Sequence, residues 1–536
     1  MSDSAPLSPK VHRILIADDL DPSGLERLRA AGAEVVQLAA ADRPRLKEIL
    51  PDFDALVVRS ATQVTADVLA AGTRLSVVGR AGVGVDNVDV AAATARGILV
   101  VNAPTANLVS ATEHAFALLL ATARNIPAAD TKLKAGVWDR KSFVGVELQG
   151  KTLGVVGFGR IGQRVAERAR GFEMEIVAYD PFLDAAAAER LGAKLMPLDE
   201  LLACADAVTI HTPFSEDTKN LFSRERLFAM KKGAILVNCA RGGLVDEAAL
   251  LEALESGHLG GAGLDVFEQE PPQDYALIRH PKVVATPHIG AQTREAQERI
   301  SAETAEMLLL ALAGAMPSAA VNLPFRSIGT RGEPFLRLGE RLGSLAVRLL
   351  GSAPQRLEVE LANYEESLRQ PIAIAVLRGV LARFLGGSVN YVNALGLAVE
   401  RGIEVVRTST SSSVTDPFQF TVRLASAERT VELGGALDAA GQPRVVRFGG
   451  YHLEFRPEGR LLVLENRDVP GVVGKLGTRI GAAGVNIADI HLARRASGEA
   501  LAVLRLDQNP PPALLEELAA LPEVLTVHYV ELGLDS

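Results

Sequence analysis

The chain has 536 residues, too many for one hydrophobic core and enough for about three or four domains. Hydrophobic residues at 48% and charged ones at 23% are ordinary globular usage, which excludes a disordered or fibrous chain. A net charge of −9 argues against a nucleic-acid binder, and two cysteines, Cys204 and Cys239, exclude a disulfide framework and leave no metal motif, so a reducing cytoplasm is the expected compartment.

The first ten residues, MSDSAPLSPK, are polar and lack the apolar core of an export signal. The apolar run 115–123 reaches about half of the ~20 residues a membrane span needs, so a soluble chain is expected. Between 13 and 102 the runs RILIAD, ALVVRS, LSVVGRAGVG and ILVVNAP alternate with helical stretches, which predicts a parallel sheet. A long apolar helix follows in TANLVSATEHAFALLLATARN. After the loop around Trp138, six more strands are predicted in KTLGVVGFGRIG, EIVAYDP, AVTIHTP, AILVNCARGG, GAGLDVF and VVATPHIGA, the number a doubly wound dinucleotide domain uses. The next helix, TREAQERISAETAEMLLLALAG, leads into a Pro/Gly/Ser-rich linker, AMPSAAVNLPFRSIGTRGEP. Residues 335–456 mix two helices with β-rich runs, and 461–536 read βαββαβ, the ferredoxin-like unit.

Two patterns carry chemistry. Gly157, Gly159 and Gly162 in VVGFGRIG sit where a strand gives way to a helix, so the helix's first amides face outward to a pyrophosphate. Asp180 ends the next predicted strand, placed to accept from an adenine-ribose hydroxyl. A 2′-phosphate there would meet like charge, worth about 4 kcal/mol at ~4 Å with an effective dielectric near 20, so NAD is expected over NADP. Three further strand ends bring Arg241, Glu270 and His288 toward the carboxyl edge of the sheet. An arginine fork grips a carboxylate, and a histidine oriented by a carboxylate takes a hydroxyl proton as hydride leaves, which together describe oxidation of a 2-hydroxy acid. His211 also follows a strand and competes with His288 for that role.

The motifs GRAGVGVDNVD, VVGFGRIG, HTP, NCARGG, GLDVFEQEPP and TPHIGA, in that order, resemble the D-isomer-specific 2-hydroxyacid dehydrogenase family over residues 1 to about 320. The resemblance implies that His288 is the acid/base, Glu270 its partner, and Arg241 the clamp on the substrate carboxylate and 2-oxo oxygen. It assigns Gly157, Gly159, Arg160, Ile161, Gly162 and Asp180 to NAD, with Thr212, Ala240 and Asp265 on the nicotinamide side. Beyond residue 320 the chain resembles those long members that oxidise 3-phosphoglycerate at the start of phosphorylated serine synthesis, with an intervening domain and a C-terminal ACT domain. Arg59, Ser60, Arg80 and Asn107 are then expected to meet the phosphorylated substrate, with Arg140 or Lys141 reaching it from a neighbouring subunit. Asn466, Asp468 and Asn486 are carried over as contacts for an effector, L-serine.

The expected fold is α/β: two Rossmann-like doubly wound parallel-sheet domains, then an α+β intervening domain and a ferredoxin-like ACT domain. The expected division is 1–101 plus 287–320 for substrate, 102–286 for NAD, 321–456 intervening and 457–536 ACT. The resemblance also implies a homo-oligomer, dimer or tetramer, and charge and apolar run length leave no membrane or nucleic-acid partner expected. Two other readings stay open: a dehydrogenase for glycerate, glyoxylate or 2-hydroxyglutarate, and an NAD-sensing corepressor without activity.

Overall fold

Four sheets follow one another along the computed structural model, which describes residues 11–326, 328–362, 364–410 and 419–533. The polar N-terminal decapeptide lies outside the described residues. The first sheet is parallel, with strands β1 (Arg13–Ile16), β2 (Glu34–Gln37), β3 (Ala55–Val58), β4 (Val77–Arg80) and β5 (Leu99–Asn102) in the order β2-β1-β3-β4-β5. β2 is missing from the sequence reading because it is an edge strand, part-exposed throughout, without the fully buried apolar run of β3. Its neighbours set the geometry that matters. Val58 pairs with Arg80 and Arg80 with Asn102, so β3, β4 and β5 end level at one edge.

The second sheet is also parallel: β6 (Thr152–Val156), β7 (Glu175–Tyr179), β8 (Lys194–Leu195), β9 (Ala207–Ile210), β10 (Ile235–Asn238), β11 (Gly261–Leu264) and β12 (Val283–Ala285), in the order β12-β11-β10-β9-β6-β7-β8. Strand order reverses between β6 and β9, which opens a crevice at their carboxyl ends. The two-residue β8 is too short to register as a strand pattern. Helix Leu108–Ala123 packs on β10 and β11, whereas helix Arg294–Leu312 returns to β4, β5 and helix Pro22–Ala30 of the first lobe, burying Ile300, Thr304 and Leu308. The chain thus crosses between the lobes twice, and the cleft lies between the crossings.

The third sheet is mixed, with β13 (Arg356–Ala362), β14 (Glu404–Thr410), β15 (Phe420–Ala425), β16 (Thr430–Leu437), β17 (Pro443–Phe448) and β18 (Tyr451–Phe455) in the order β14-β13-β15-β16-β17-β18. Among the described strands of this sheet, only β13 and β14 pair in parallel. Helices Gly329–Leu350 and Glu366–Leu385 pack together on it, with a short third helix, Ala394–Glu400, that the sequence reading lacks. Among the described residues one stretch, Glu366–Ser388, has the length and apolarity of a membrane span, and its residues 371–377 are buried inside this domain. Asn390 Nδ2 donates to the Gly97 carbonyl at 2.5 Å, seating the domain on the first lobe.

The last sheet is antiparallel, with β19 (Gly459–Arg467), β20 (Ile487–Arg494), β21 (Glu499–Leu506) and β22 (Val524–Leu532) in the order β20-β21-β19-β22. Helices Val472–Ala482 and Pro512–Ala519 cover one face through Leu476, Ile480, Leu514 and Leu518. The other face joins the core of the third domain, with Leu461, Val463 and Val503 packed in one cluster with Leu342, Leu453 and Phe455. Tyr451 donates to Glu465 at 2.7 Å while the Arg495 guanidinium lies 3.8 Å over its ring. The architecture is the α/β arrangement that the alternating runs predict.

Candidate active site

A cleft of about 1040 Å³ separates the first two lobes, and Arg59, Ser60, Arg80, Asn107, Arg241, Glu270 and His288 all line it. His211 does not line it. It pairs through Nε2 with Thr209 Oγ1 at 2.9 Å, and burial pushes its imidazole down to about 4, so it is neutral near pH 7.

His288 stands on the loop after β12 with Nδ1 2.6 Å from Glu270 Oε2, leaving Nε2 for the cleft. Glu270 is held in turn, since Oε1 accepts from the Phe267 amide at 3.1 Å. His288 has φ +53°, a left-handed backbone that L side chains adopt only under constraint. The constraint is Asp265, just past β11. Three successive amides donate into it: His288 N to the Asp265 carbonyl at 2.9 Å, and Ile289 N and Gly290 N to its two carboxylate oxygens at 2.8 Å each. Thr286 Oγ1 at 2.6 Å and His114 Nε2 at 3.2 Å complete the shell. Burial alone would raise the Asp265 carboxyl, but the bonds from His114, Thr286 and Ile289 outweigh it and hold the group below the ordinary range. The sequence reading places Asp265 beside nicotinamide. In the structure its carboxylate, only 1% exposed, holds the His288 loop, because that loop's amides need an acceptor there.

Arg241 follows β10 on a turn tied by Asn238, whose Nδ2 donates to the Arg241 carbonyl at 2.9 Å and whose Oδ1 accepts from Ala240 N at 3.0 Å. Arg241 Nη1 donates to the Ala240 carbonyl at 2.6 Å and Nε to Asp86 of the first lobe at 3.1 Å. Arg80 ends β4 with its Nε buried and unpartnered. Its pKa is lowered to about 10 by burial first, then by repulsion from Arg241 and Arg59, which Asp86 and Asp18 partly offset. Excess positive charge facing a cleft is a site waiting for an anion. The Arg59–Thr62 loop is fixed from both sides: Asp18 accepts from the amides of Arg59 at 2.7 Å and Thr62 at 3.2 Å, and Asn87 Nδ2 donates to both carbonyls at 2.6 Å. Asn107 Oδ1 is a further buried atom without a partner. Asp18, Asp86, Asn87, His114 and Asn238 escape the sequence reading. Asp86 and Asn87 lie within GRAGVGVDNVD, so that motif held the signal.

The coenzyme half fits a dinucleotide. Gly157 has φ +90°, and a Cβ there would come within 2.7 Å of the His211 backbone. Gly159 caps helix Arg160–Gly171 without any side-chain cap, beside open space, so the amides of Arg160, Ile161 and Gly162 are left for an anion. Asp180 accepts from Phe158 N at 3.0 Å and Phe182 N at 2.9 Å, remains half-buried, and keeps lone pairs for ribose hydroxyls. Thr212 Oγ1 is buried and unpartnered, and Ala240 is half-buried beside Arg241.

Five residues expected to act between subunits, Arg140, Lys141, Asn466, Asp468 and Asn486, do not assemble into a site within one chain. Arg140 and Lys141 are exposed and outside the cleft, because Asp139 gathers their loop by accepting from the Lys141 and Ser142 amides and pairing with Lys132 at 2.5 Å. Asn466 and Asp468 lie at the Arg494 end of the last sheet, with Asp468 3.4 Å from Arg494. Asn486 sits at the opposite end and donates to Asp507 at 2.6 Å, since the register pairs Ile487 with Leu506 and Arg494 with Ala500.

Fold and cleft together define a nicotinamide-dependent dehydrogenase of D-2-hydroxy acids. Residues 116–290 match the family described as D-isomer specific 2-hydroxyacid dehydrogenase, NAD binding domain, residues 332–449 the D-3-phosphoglycerate dehydrogenase intervening domain, and residues 460–523 the ACT domain. The D-3-phosphoglycerate dehydrogenase of Mycobacterium tuberculosis is 45% identical over 527 residues, covering 97% of this chain and 99% of its own length, and that of Bacillus subtilis is 39% identical over 528 residues, covering 97% and 99%. Among solved structures, the Aquifex aeolicus D-lactate dehydrogenase complexed with NAD and lactic acid superposes with a TM-score of 0.51 at 28% identity, covering 56% of this chain and 96% of that one. The chain belongs to the D-3-phosphoglycerate dehydrogenase family.

Proposed function

We propose that the protein oxidises 3-phospho-D-glycerate to 3-phosphohydroxypyruvate, the first step of phosphorylated L-serine synthesis, with the division 1–101 plus 287–320, 102–286, 321–456 and 457–536. The observation that carries the reading is the 2.6 Å pair of His288 and Glu270 in a cleft that also holds Arg241. Arg241 grips the substrate carboxylate and steadies the 2-oxygen, while Arg59, Ser60, Arg80 and Asn107 receive the phosphate end. His288 Nε2 takes the C2 hydroxyl proton, and Glu270 at Nδ1 stabilises the imidazolium that forms. The Gly157–Gly162 turn and Asp180 would hold NAD, which would supply the hydride acceptor for C2. Asp265 acts as a positioning residue for the His288 loop, and Thr212 and Ala240 face the nicotinamide side.

L-Serine is the proposed effector. The edge strand β20 leaves Ile490 and Leu492 exposed, and antiparallel pairing of β20 with a second copy brings Asn486 of that copy toward Asn466 and Asp468. Pairing of the second lobe is supported by exposed Trp138 and Val144, and carries Arg140 and Lys141 toward a neighbouring cleft. The proposed assembly is a cytoplasmic homo-oligomer.

The test is NADH formation from 3-phosphoglycerate, with glycerate in parallel and with or without L-serine. A kcat/KM for glycerate equal to that for 3-phosphoglycerate returns the reading to another D-2-hydroxy acid. Absence of turnover with any of them returns it to an NAD-sensing protein, against which the paired Glu270 and His288 weigh.

A further inference from the structure

Arg241 is already engaged by a carboxylate of the protein itself. Asp86 lies on the loop after β4, in the first lobe, and Arg241 follows β10, in the second, so their 3.1 Å ion pair crosses the mouth of the cleft. The loop is shaped for the contact. A Cβ at Gly84 would fall 2.2 Å from Arg241 Nη2 and 2.7 Å from Asp86 Oδ2, so only the bare backbone at 84 lets guanidinium and carboxylate meet where they do. Asp86 is two-thirds exposed and Arg241 less than one-third. The carboxylate therefore comes from the solvent side and is free to swing away.

We propose that Asp86 is an internal competitor for the Arg241 fork, holding the place that a substrate carboxylate takes when it binds. This rests on the carboxylate-gripping role given above to Arg241. A guanidinium has five N–H donors in a fixed plane, and a bidentate grip needs two adjacent ones. With Nε on Asp86, an incoming carboxylate takes the side-on pair of Nε and Nη2 only by displacing Asp86. The exchange swaps one carboxylate for another, so a ligand offering nothing else gains little over the resting state. A substrate with a phosphate group also gains the unpartnered Nε of Arg80 and its neighbour Arg59, and displaces Asp86 with net advantage. Asp86 thereby discriminates against small acids that lack a phosphate and, in the resting protein, ties the lobes together.

The experiment is calorimetric titration of oxalate, a compact carboxylate without a phosphate, into the NADH-saturated full-length protein and into Asp86→Asn and Asp86→Glu. Asp86→Asn is expected to bind oxalate about two- to fivefold more tightly, the range an exposed ion pair supplies. The gain should shrink as salt screens the pair. Asp86→Glu should return toward the unaltered affinity, which a merely structural role for the side chain would not require. The KM for 3-phosphoglycerate should fall in Asp86→Asn by less than the oxalate constant does. Unchanged or weaker oxalate binding by Asp86→Asn overturns the proposal, and so does absence of oxalate binding in every form. Failure of the unaltered protein to oxidise 3-phosphoglycerate sinks the reaction assigned above, whereas the oxalate comparison still decides the competitor.

Discussion

Replacing Asp265 by asparagine changes one atom and removes the anchor of the His288 loop. Oδ1 accepts from Thr286 and Ile289 and Oδ2 from Gly290, so an asparagine that keeps its oxygen at the first position turns an NH₂ toward the Gly290 amide. One charge-assisted bond becomes a donor facing a donor and the others lose their charge, a destabilisation of about 2 to 4 kcal/mol. His288, held at φ +53°, sits in a backbone region costing about 1 to 3 kcal/mol that persists only while its surroundings enforce it. Once the anchor weakens, the imidazole relaxes away from the cleft, and displacement by about 1 Å is worth about 10²-fold in rate. The assay is kcat for 3-phosphoglycerate together with the dissociation constant of NAD. Asp265→Asn should lose kcat about 10²-fold while NAD affinity stays within about twofold. Near-normal kcat with weakened NAD binding would refute the anchoring role and place Asp265 against the coenzyme. The pH dependence has a definite sign. The folded-state pKa lies below the ordinary 3.8, so the group stabilises the fold above that value and the contribution is lost as pH falls through the folded one. Acid loss of activity below about pH 4 should therefore flatten in Asp265→Asn.

Other substitutions test neighbouring steps. His288→Ala should reduce kcat about 10²- to 10⁴-fold with NADH binding intact, read by steady-state kinetics and NADH fluorescence. Gly157→Ala should raise the KM for NAD about tenfold or more, because a Cβ at φ +90° also meets the His211 backbone at 2.7 Å. Arg80→Met should cut kcat/KM for 3-phosphoglycerate about 10- to 100-fold and leave that for glycerate nearly unchanged, since one charged hydrogen bond is at stake.

What the sequence made legible was whatever a single segment encodes. The buried runs of β3, β6 and β10 announce themselves because interior parallel strands are apolar on both faces, and the glycine spacing after β6 marks a turn that only a bare backbone can make. β2 and β8 were hidden because an edge strand and a two-residue strand carry no such run. Partnerships across long separations were hidden for a different reason. Nothing local in VDN says that Asp86 meets Arg241, or in TEH that His114 meets Asp265, 151 positions later. Asp265 entered only through the family resemblance, as a coenzyme-side residue, and nothing local marked it as the acceptor for three amides of another loop. That Asn486 and Asn466 of one chain stand at opposite ends of the last sheet was hidden as well, because adjacency of motifs along the chain does not reveal the register that separates them.

The last sheet is clamped on both broad sides, by its own helices and by the third domain, and only three residues, 456–458, separate β18 from β19. Tyr451, with Glu465 beneath its hydroxyl and Arg495 across its ring, pins that short joint. The terminal module is consequently a stiff extension of its neighbour and not a weight on a string. A torque applied to its outer edge turns the six-stranded unit as one piece, and the foot of that unit, Asn390, already presses on the first lobe at Gly97.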